Sequence, residues 1–291
     1  MSSAAQKRAA PSVLDAMRRA DELAAKNTHG GPFGSVIVGK DGTIIGEGRN
    51  EVVHTHNPTC HAEMQALRDA GKRHGHWNLK GATLITSCEC CPMCLAGAYA
   101  AGVDRIIYAN TRKDAADIGF ADDDIYEEMK VGYAHLPIER VSASPLLTEG
   151  VDAVVVDATG AVLGKAAEGE GGDVDPTGLP SVLAVGRSCA GLNSFHLPDG
   201  CTLITRKIIH PLGFTAARWA HIERIVSVAG EAWEGADRSH APADIYHDIA
   251  LPESAMNERK IPMTRVEDTE VLKQTLATFS AWFNDQSKVL Y

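Results

Sequence analysis

The chain has 291 residues, 44% hydrophobic and 23% charged, the balance of a folded globular protein and enough for one large domain or two of ordinary size. A formal charge of −10 argues against a polyanion as the main substrate, because nucleic-acid binding draws on a basic surface. Behind the charges of Met1-Ser2-Ser3-Ala4-Ala5-Gln6-Lys7-Arg8 there is no apolar core, and no apolar run approaches the ~18 residues of a membrane span; no signal peptide or membrane segment is expected, and a cytoplasmic location is.

Val13, Leu14, Met17, Ala20, Leu23 and Ala24 recur at helical spacing and predict an amphipathic first helix. Apolar stretches at 32–38 and 43–46 flank Asp41-Gly42, the pattern of a β-hairpin. Residues 51–59 then read as a loop, with His54 and His56 expected in solvent; His74 and His76 read as surface residues. A helix begins at Ala62, a short buried strand occupies 83–86, and Pro92 suits the first turn of a helix running to Ala101. A strand at 105–108 follows, and then Lys113-Asp114-Ala115-Ala116 and Gly119-Phe120 lead into Asp124-Ile125-Tyr126. Strands alternating with helices after an opening hairpin predict a three-layer α/β/α fold with a mixed sheet.

The chemistry concentrates in two words, His61-Ala62-Glu63 and Cys91-Pro92-Met93-Cys94. One imidazole and two thiolates leave a position of the zinc tetrahedron open, which a catalytic zinc needs and a structural zinc module lacks. Both cysteines fall at a predicted helix N-terminus, where free N–H groups and the helix dipole favour thiolates. A fourth ligand from His54 or His56 would close the open position, and a structural site has no use for Glu63. Four of the seven cysteines (Cys88, Cys90, Cys91, Cys94) crowd into one motif and Cys60 adjoins His61, which reads as metal chemistry in a reducing compartment and not as a disulfide framework. One zinc per chain is expected, lowering the pKa of water at the open position, with Glu63 carrying protons.

From residue 150 the pattern repeats. Residues 151–160 lie over the first hairpin, Thr202-Leu203-Ile204-Thr205 repeats Thr83-Leu84-Ile85-Thr86, Arg224-Ile225-Val226 follows Arg105-Ile106-Ile107, and Asp244-Ile245-Tyr246 repeats Asp124-Ile125-Tyr126. The offset grows only from 118 residues between Pro58 and Pro176 to 125 between Pro137 and Pro262, as a tandem duplication predicts. The second copy keeps no zinc chemistry: Leu179 stands in the place of His61, Ser181 of Glu63, His210 of Cys91 and Gly213 of Cys94. The predicted division is an active domain over 1–148 and a degenerate one over 149–291.

The two metal words resemble the zinc signature of the cytidine-deaminase-like superfamily, with Cys90 where a proline usually stands. Within it the first copy is similar to the guanine deaminases, through Gly31-Pro32-Phe33-Gly34, Asn57-Pro58-Thr59, Thr86-Ser87-Cys88-Glu89, Lys113-Asp114-Ala115-Ala116 with Gly119-Phe120, and Ile125-Tyr126. The chain end, Phe279-Ser280-Ala281-Trp282 and Lys288-Val289-Leu290-Tyr291, also looks like that branch, whereas Ala100 stands where it often has an aromatic residue. The resemblance implies that His61, Cys91 and Cys94 bind zinc, that Glu63 shuttles protons, and that Phe33, Asn50, Ala62 and Asp114 contact the base. It implies hydrolytic deamination of a free nucleobase, guanine to xanthine first, with guanosine, cytosine, a pterin or a triazine as alternatives and a tRNA adenosine further off. Related deaminases pair their domains. The two copies are therefore expected to form an internal pseudo-dimer, open to further homo-oligomerisation, with Tyr291 over the zinc pocket of the first.

Overall fold

Ser12 and Asp15 form a reciprocal capping box, Asp15 N donating to Ser12 Oγ at 3.1 Å and Ser12 N to Asp15 Oδ2 at 3.2 Å, and this satisfies two of the free N–H groups that open α1 (Val13–Ala25). In this computed structural model the described residues are 12–130, 138–228, 234, 245, 247–249, 251 and 258–291; the sequence features at 1–8, Leu136-Pro137, Asp244 and Tyr246 lie outside them. The hairpin forms as predicted, β1 (Gly34–Val38) against β2 (Ile44–Arg49), with Gly42 at φ 79° in the turn. Residues 51–59 contain one helical turn, α2 (Val52–Thr55), where the sequence read as loop. Then come α3 (Ala62–His74), β3 (Thr83–Cys88), α4 (Pro92–Ala101), β4 (Arg105–Asn110), α5 (Arg112–Ala116) and α6 (Asp123–Lys130).

The rest of the chain comprises β5 (Ile138–Val141), β6 (Ala153–Val156), β7 (Val162–Ala166), α7 (Pro180–Gly191), β8 (Thr202–Thr205), α8 (Pro211–Trp219), β9 (Arg224–Val228), β10 (Met263–Arg265) and α9 (Thr269–Phe283). Two five-stranded mixed sheets result, ordered β10-β4-β3-β1-β2 and β5-β9-β8-β6-β7. Their outer strands are exchanged. β10 runs parallel to β4 with Met263 beside Ile106, and β5 runs parallel to β9 with Ile138 beside Ile225. A cut after residue 148 would part each sheet from its fifth strand.

Strand alternation sorts the apolar side chains to opposite faces. Ile37, Leu84 and Ile106 face α3 and α4, while Val36, Ile85 and Ile107 face α1 and α9, so the first sheet is the middle of three layers. Ala153, Val155, Leu203 and Ile225 of the second sheet join the same core as Ile37, beneath α7 and α8. The opposite face, Val154, Val156, Ile204 and Val226, packs against Leu146, Leu147 and Val151. Among the described residues no helix covers it, and the segment carrying Leu146, Leu147 and Val151 lies there. The two halves join through α4 and α8, flanked by Arg218 Nε to Glu128 Oε2 at 2.5 Å on one side and by Tyr99 to Asp248 on the other. Among the described residues no helix is long and apolar enough to cross a membrane.

Candidate active site

Two helix starts meet at the ends of β3 and β4. His61 is the N-cap of α3 and Cys91 the N-cap of α4, both with extended backbone, and Pro92 occupies the first turn, where its missing N–H costs nothing. Gly48 of β2 allows α3 this close, because a Cβ there would collide with the backbone of Ala62 and Ala66. Ala62 itself is buried behind His61, and its side chain does not line the pocket.

His61 Nδ1 lies 3.5 Å from Cys91 Sγ and 3.6 Å from Cys94 Sγ, and the three donor atoms all fall within 4.8 Å of one another. Zinc bonds of about 2.3 Å to sulfur and about 2.0–2.1 Å to nitrogen, at tetrahedral angles, would separate N from S by about 3.5–3.6 Å. The donor set fits zinc in spacing and in chemistry. Burial opposes charge on Cys91, but hydrogen bonding with Cys94 and the His61 imidazole together hold its thiol well below the usual thiol range.

Glu63 sits beside this centre, 5% exposed, with Oε1 accepting from Thr86 Oγ1 at 2.8 Å. Burial, and then the negative charge at Cys91, push its carboxyl up from the ordinary range, which suits a group that must both take and give protons. The pocket over the centre is an aromatic slot. Phe33 packs edge-on to Phe120 at 5.0 Å and to Phe279 at 5.4 Å, and Tyr291 lies 5.3 Å from Phe120 and 6.4 Å from the His61 ring. Asn50 Nδ2 donates to the Tyr291 hydroxyl, and Lys288 Nζ reaches Asn27 O at 3.2 Å, so the tail is tied down at both ends. Phe33, Asn50, Glu63 and Tyr291 are thus brought together with the three metal-ligating residues.

Asp114 is not brought there. Its carboxylate closes a capping box at the start of α5, accepting from Thr111 N and Thr111 Oγ1, each at 2.7 Å, and it faces Arg265 at 3.8 Å. A Thr-x-x-Asp word is a helix-start signal, and that local demand claims the side chain. An aspartate that does line the slot is Asp122, 7% exposed, with burial foremost pushing its carboxyl well above the usual range. Cys88, Glu89, Arg112 and Trp219 also line it and escaped the sequence reading. Trp219, at the end of α8, meets the His61 ring edge-on at 5.0 Å, and its indole N–H is buried without a partner among the described residues. A signal for Trp219 existed: it follows Ala100 by 119 residues, the spacing of Cys91 to His210. Position 100 of α4 is alanine, and the ring beside His61 comes from Trp219 of α8.

Under the second sheet, a buried carboxylate stands against the starts of α7 and α8. Glu234 Oε2 accepts from Ser181 Oγ at 2.6 Å and Oε1 from Ser181 N at 3.2 Å, with the His210 backbone N–H also bonded to it. A Cβ on Gly213 would collide with the Ser181 hydroxyl. Among the described residues, His61, Cys91 and Cys94 are the one cluster with metal-ligating geometry.

The model of the cytidine and deoxycytidylate deaminase zinc-binding region matches residues 12–110. The guanine deaminase of Bacillus subtilis (strain 168) is 47% identical over 116 residues, covering 39% of this chain and 74% of that one. The chain belongs to the cytidine-deaminase-like family of zinc-dependent deaminases. As a member it is a zinc-dependent hydrolytic deaminase. The solved structure of the Bacillus subtilis guanine deaminase is 46% identical with a TM-score of 0.38, covering 39% of this deaminase and 74% of that chain. A tRNA-specific adenosine deaminase of Streptococcus pyogenes serotype M18 is 39% identical over 88 residues, covering 30% of this deaminase and 55% of its own length.

Proposed function

We propose that this deaminase converts guanine to xanthine, releasing ammonia. The observation that carries the reading is the slot itself: an aromatic gap beside the His61, Cys91 and Cys94 centre, lined by the buried carboxyl groups of Glu63, Glu89 and Asp122. The 47% identity to a guanine deaminase supports it. Zinc held by His61, Cys91 and Cys94 would supply Lewis-acid activation of water. Glu63 takes a proton from the attacking water, passes it to the ring nitrogen beside the amine-bearing carbon, and then protonates the departing ammonia. Thr86 fixes the carboxylate for these transfers. Asp122 accepts from the ring N–H next to the amine, Phe33 and Phe120 hold the ring plane, and Trp219 and Tyr291 exclude water from the other side.

The same reading treats the chain as a tandem pair, active over 1–148 and degenerate over 149–291, folded as an internal pseudo-dimer with one zinc. The corresponding strand orders, the exchanged β5 and β10, and Glu234 in place of a metal support it. The free state of all seven cysteines fits a cytoplasmic location.

Ammonia release measured across guanine, guanosine, cytosine, adenine, a pterin and a triazine, alongside zinc analysis, tests the proposal. Guanine is expected to give the highest kcat/KM at about one zinc per chain. Faster turnover of cytosine than of any purine, or two zinc ions per chain, overturns it.

A further inference from the structure

Arg112 is the one lysine or arginine among the described residues lining the slot, and its guanidinium is engaged there by an ion pair and a ring contact but by no hydrogen bond. Its backbone N–H donates to Glu89 Oε2 at 3.3 Å, but the five side-chain N–H donors make no hydrogen bond among the described residues. The nearest carboxylate, Asp123, is 3.8 Å from Nε and 70% exposed, too distant for a hydrogen bond. The guanidinium is nonetheless held in place. It lies over the Tyr126 ring at 4.7 Å, and the Tyr126 hydroxyl donates to Cys90 O at 2.6 Å, one residue from the Cys91 ligand. The Asp122 side chain likewise makes no hydrogen bond among the described residues. A structural counter-ion would be bonded to its carboxylate. Here a fork of donors and an acceptor both open onto one pocket, unspent on each other, as two polar groups reserved for a ligand are.

A ligand that satisfies both presents a donor and an acceptor on the same edge. In guanine the amine-bearing carbon, the ring N–H and the ring carbonyl follow one another in that order. We infer that Arg112 is a specificity-determining residue that binds the ring carbonyl, so that the site selects 2-amino heterocycles whose amine carbon is followed by N–H and C=O. This rests on the guanine reading above and adds to it the group that the substrate must carry.

Binding tests this without turnover. In the zinc-loaded Glu63→Gln protein, affinities for guanine and for 2-aminopurine, which lacks the carbonyl, are measured with and without Arg112→Met. Methionine keeps apolar contact with Tyr126 but removes every donor. Guanine binding is expected to weaken about 10–100-fold, the size of a lost charge-assisted hydrogen bond, while 2-aminopurine shifts by no more than about threefold. Arg112→Lys should recover part of the guanine affinity, and zinc content should match the parent in both variants. Equal losses for the two ligands would assign Arg112 a structural role, and no loss for either would remove it from the site; each result overturns the inference while leaving guanine deamination intact. If the unmodified enzyme neither binds nor deaminates guanine, the parent reading falls and takes this inference with it.

Discussion

Glu63 and Glu234 are both carboxylates buried at a helix start, yet one faces two thiols and the other a serine. Glu63→Gln should keep the zinc by elemental analysis and lower kcat about 10²–10⁴-fold, because the amide preserves shape but cannot carry protons. Asp114→Ala should remove the α5 capping box at a cost on the order of 1 kcal/mol in urea unfolding, yet leave guanine kcat/KM within about threefold. Asp122→Ala should do the reverse, losing about 10–150-fold in kcat/KM with the removed charge-assisted bond. Comparable activity losses for the two would return Asp114 to the site. Burial raises Glu234 to about 7 from 4.5, so the folded state holds its proton more tightly than the unfolded chain does. The stabilisation from that proton is full below pH 4.5 and is lost as pH rises through 7. Glu234→Gln does not titrate, so unfolding at pH 5 and pH 8 should show wild type losing up to roughly 3 kcal/mol relative to the variant across that interval.

Among the elements, α9 and the tail behind it carry the site's closure. Phe279 and Trp282 anchor α9, and Trp282 Nε1 donates to Gly30 O at 3.2 Å, beside the Gly31–Phe33 turn that forms one wall. The tail beyond adds Tyr291 but little core. Deleting Lys288 to Tyr291 should therefore leave the unfolding midpoint and zinc content close to wild type while cutting kcat/KM sharply; an unchanged rate would place the tail outside catalysis. For α8, the strict test is to give back a ligand. Gly213→Cys should destabilise the protein and bind no second zinc, because the Ser181 hydroxyl and the Glu234 carboxylate fill the space a thiolate needs.

The exchange of β5 and β10 makes the halves interdependent. Residues 1–148 alone would lack β10, α9, Trp219 and Tyr291, keeping the metal-ligating residues and the Phe33 wall but not the side of the slot that Trp219 and Tyr291 close. Expressed alone, that fragment should be inactive and poorly soluble; co-expressed with 149–291 it should pair and recover guanine deamination. An active isolated fragment would show that the second half contributes nothing to the site.

Local patterns determined much of this in advance. The His-x-Glu and Cys-x-x-Cys words, the proline at a helix start, the hairpin around Asp41-Gly42 and the alternating strands state their own conformations, and ligand chemistry follows from residue type. Asp114 shows the limit: the same Thr-x-x-Asp letters serve a cap or a binding site, and only the packed structure reveals that the capping bonds had taken the carboxylate. Trp219 entered the pocket for the opposite reason. Its place depends on which surface a distant segment meets, and the α4–α8 contact fixes that only when the whole chain buries its common core.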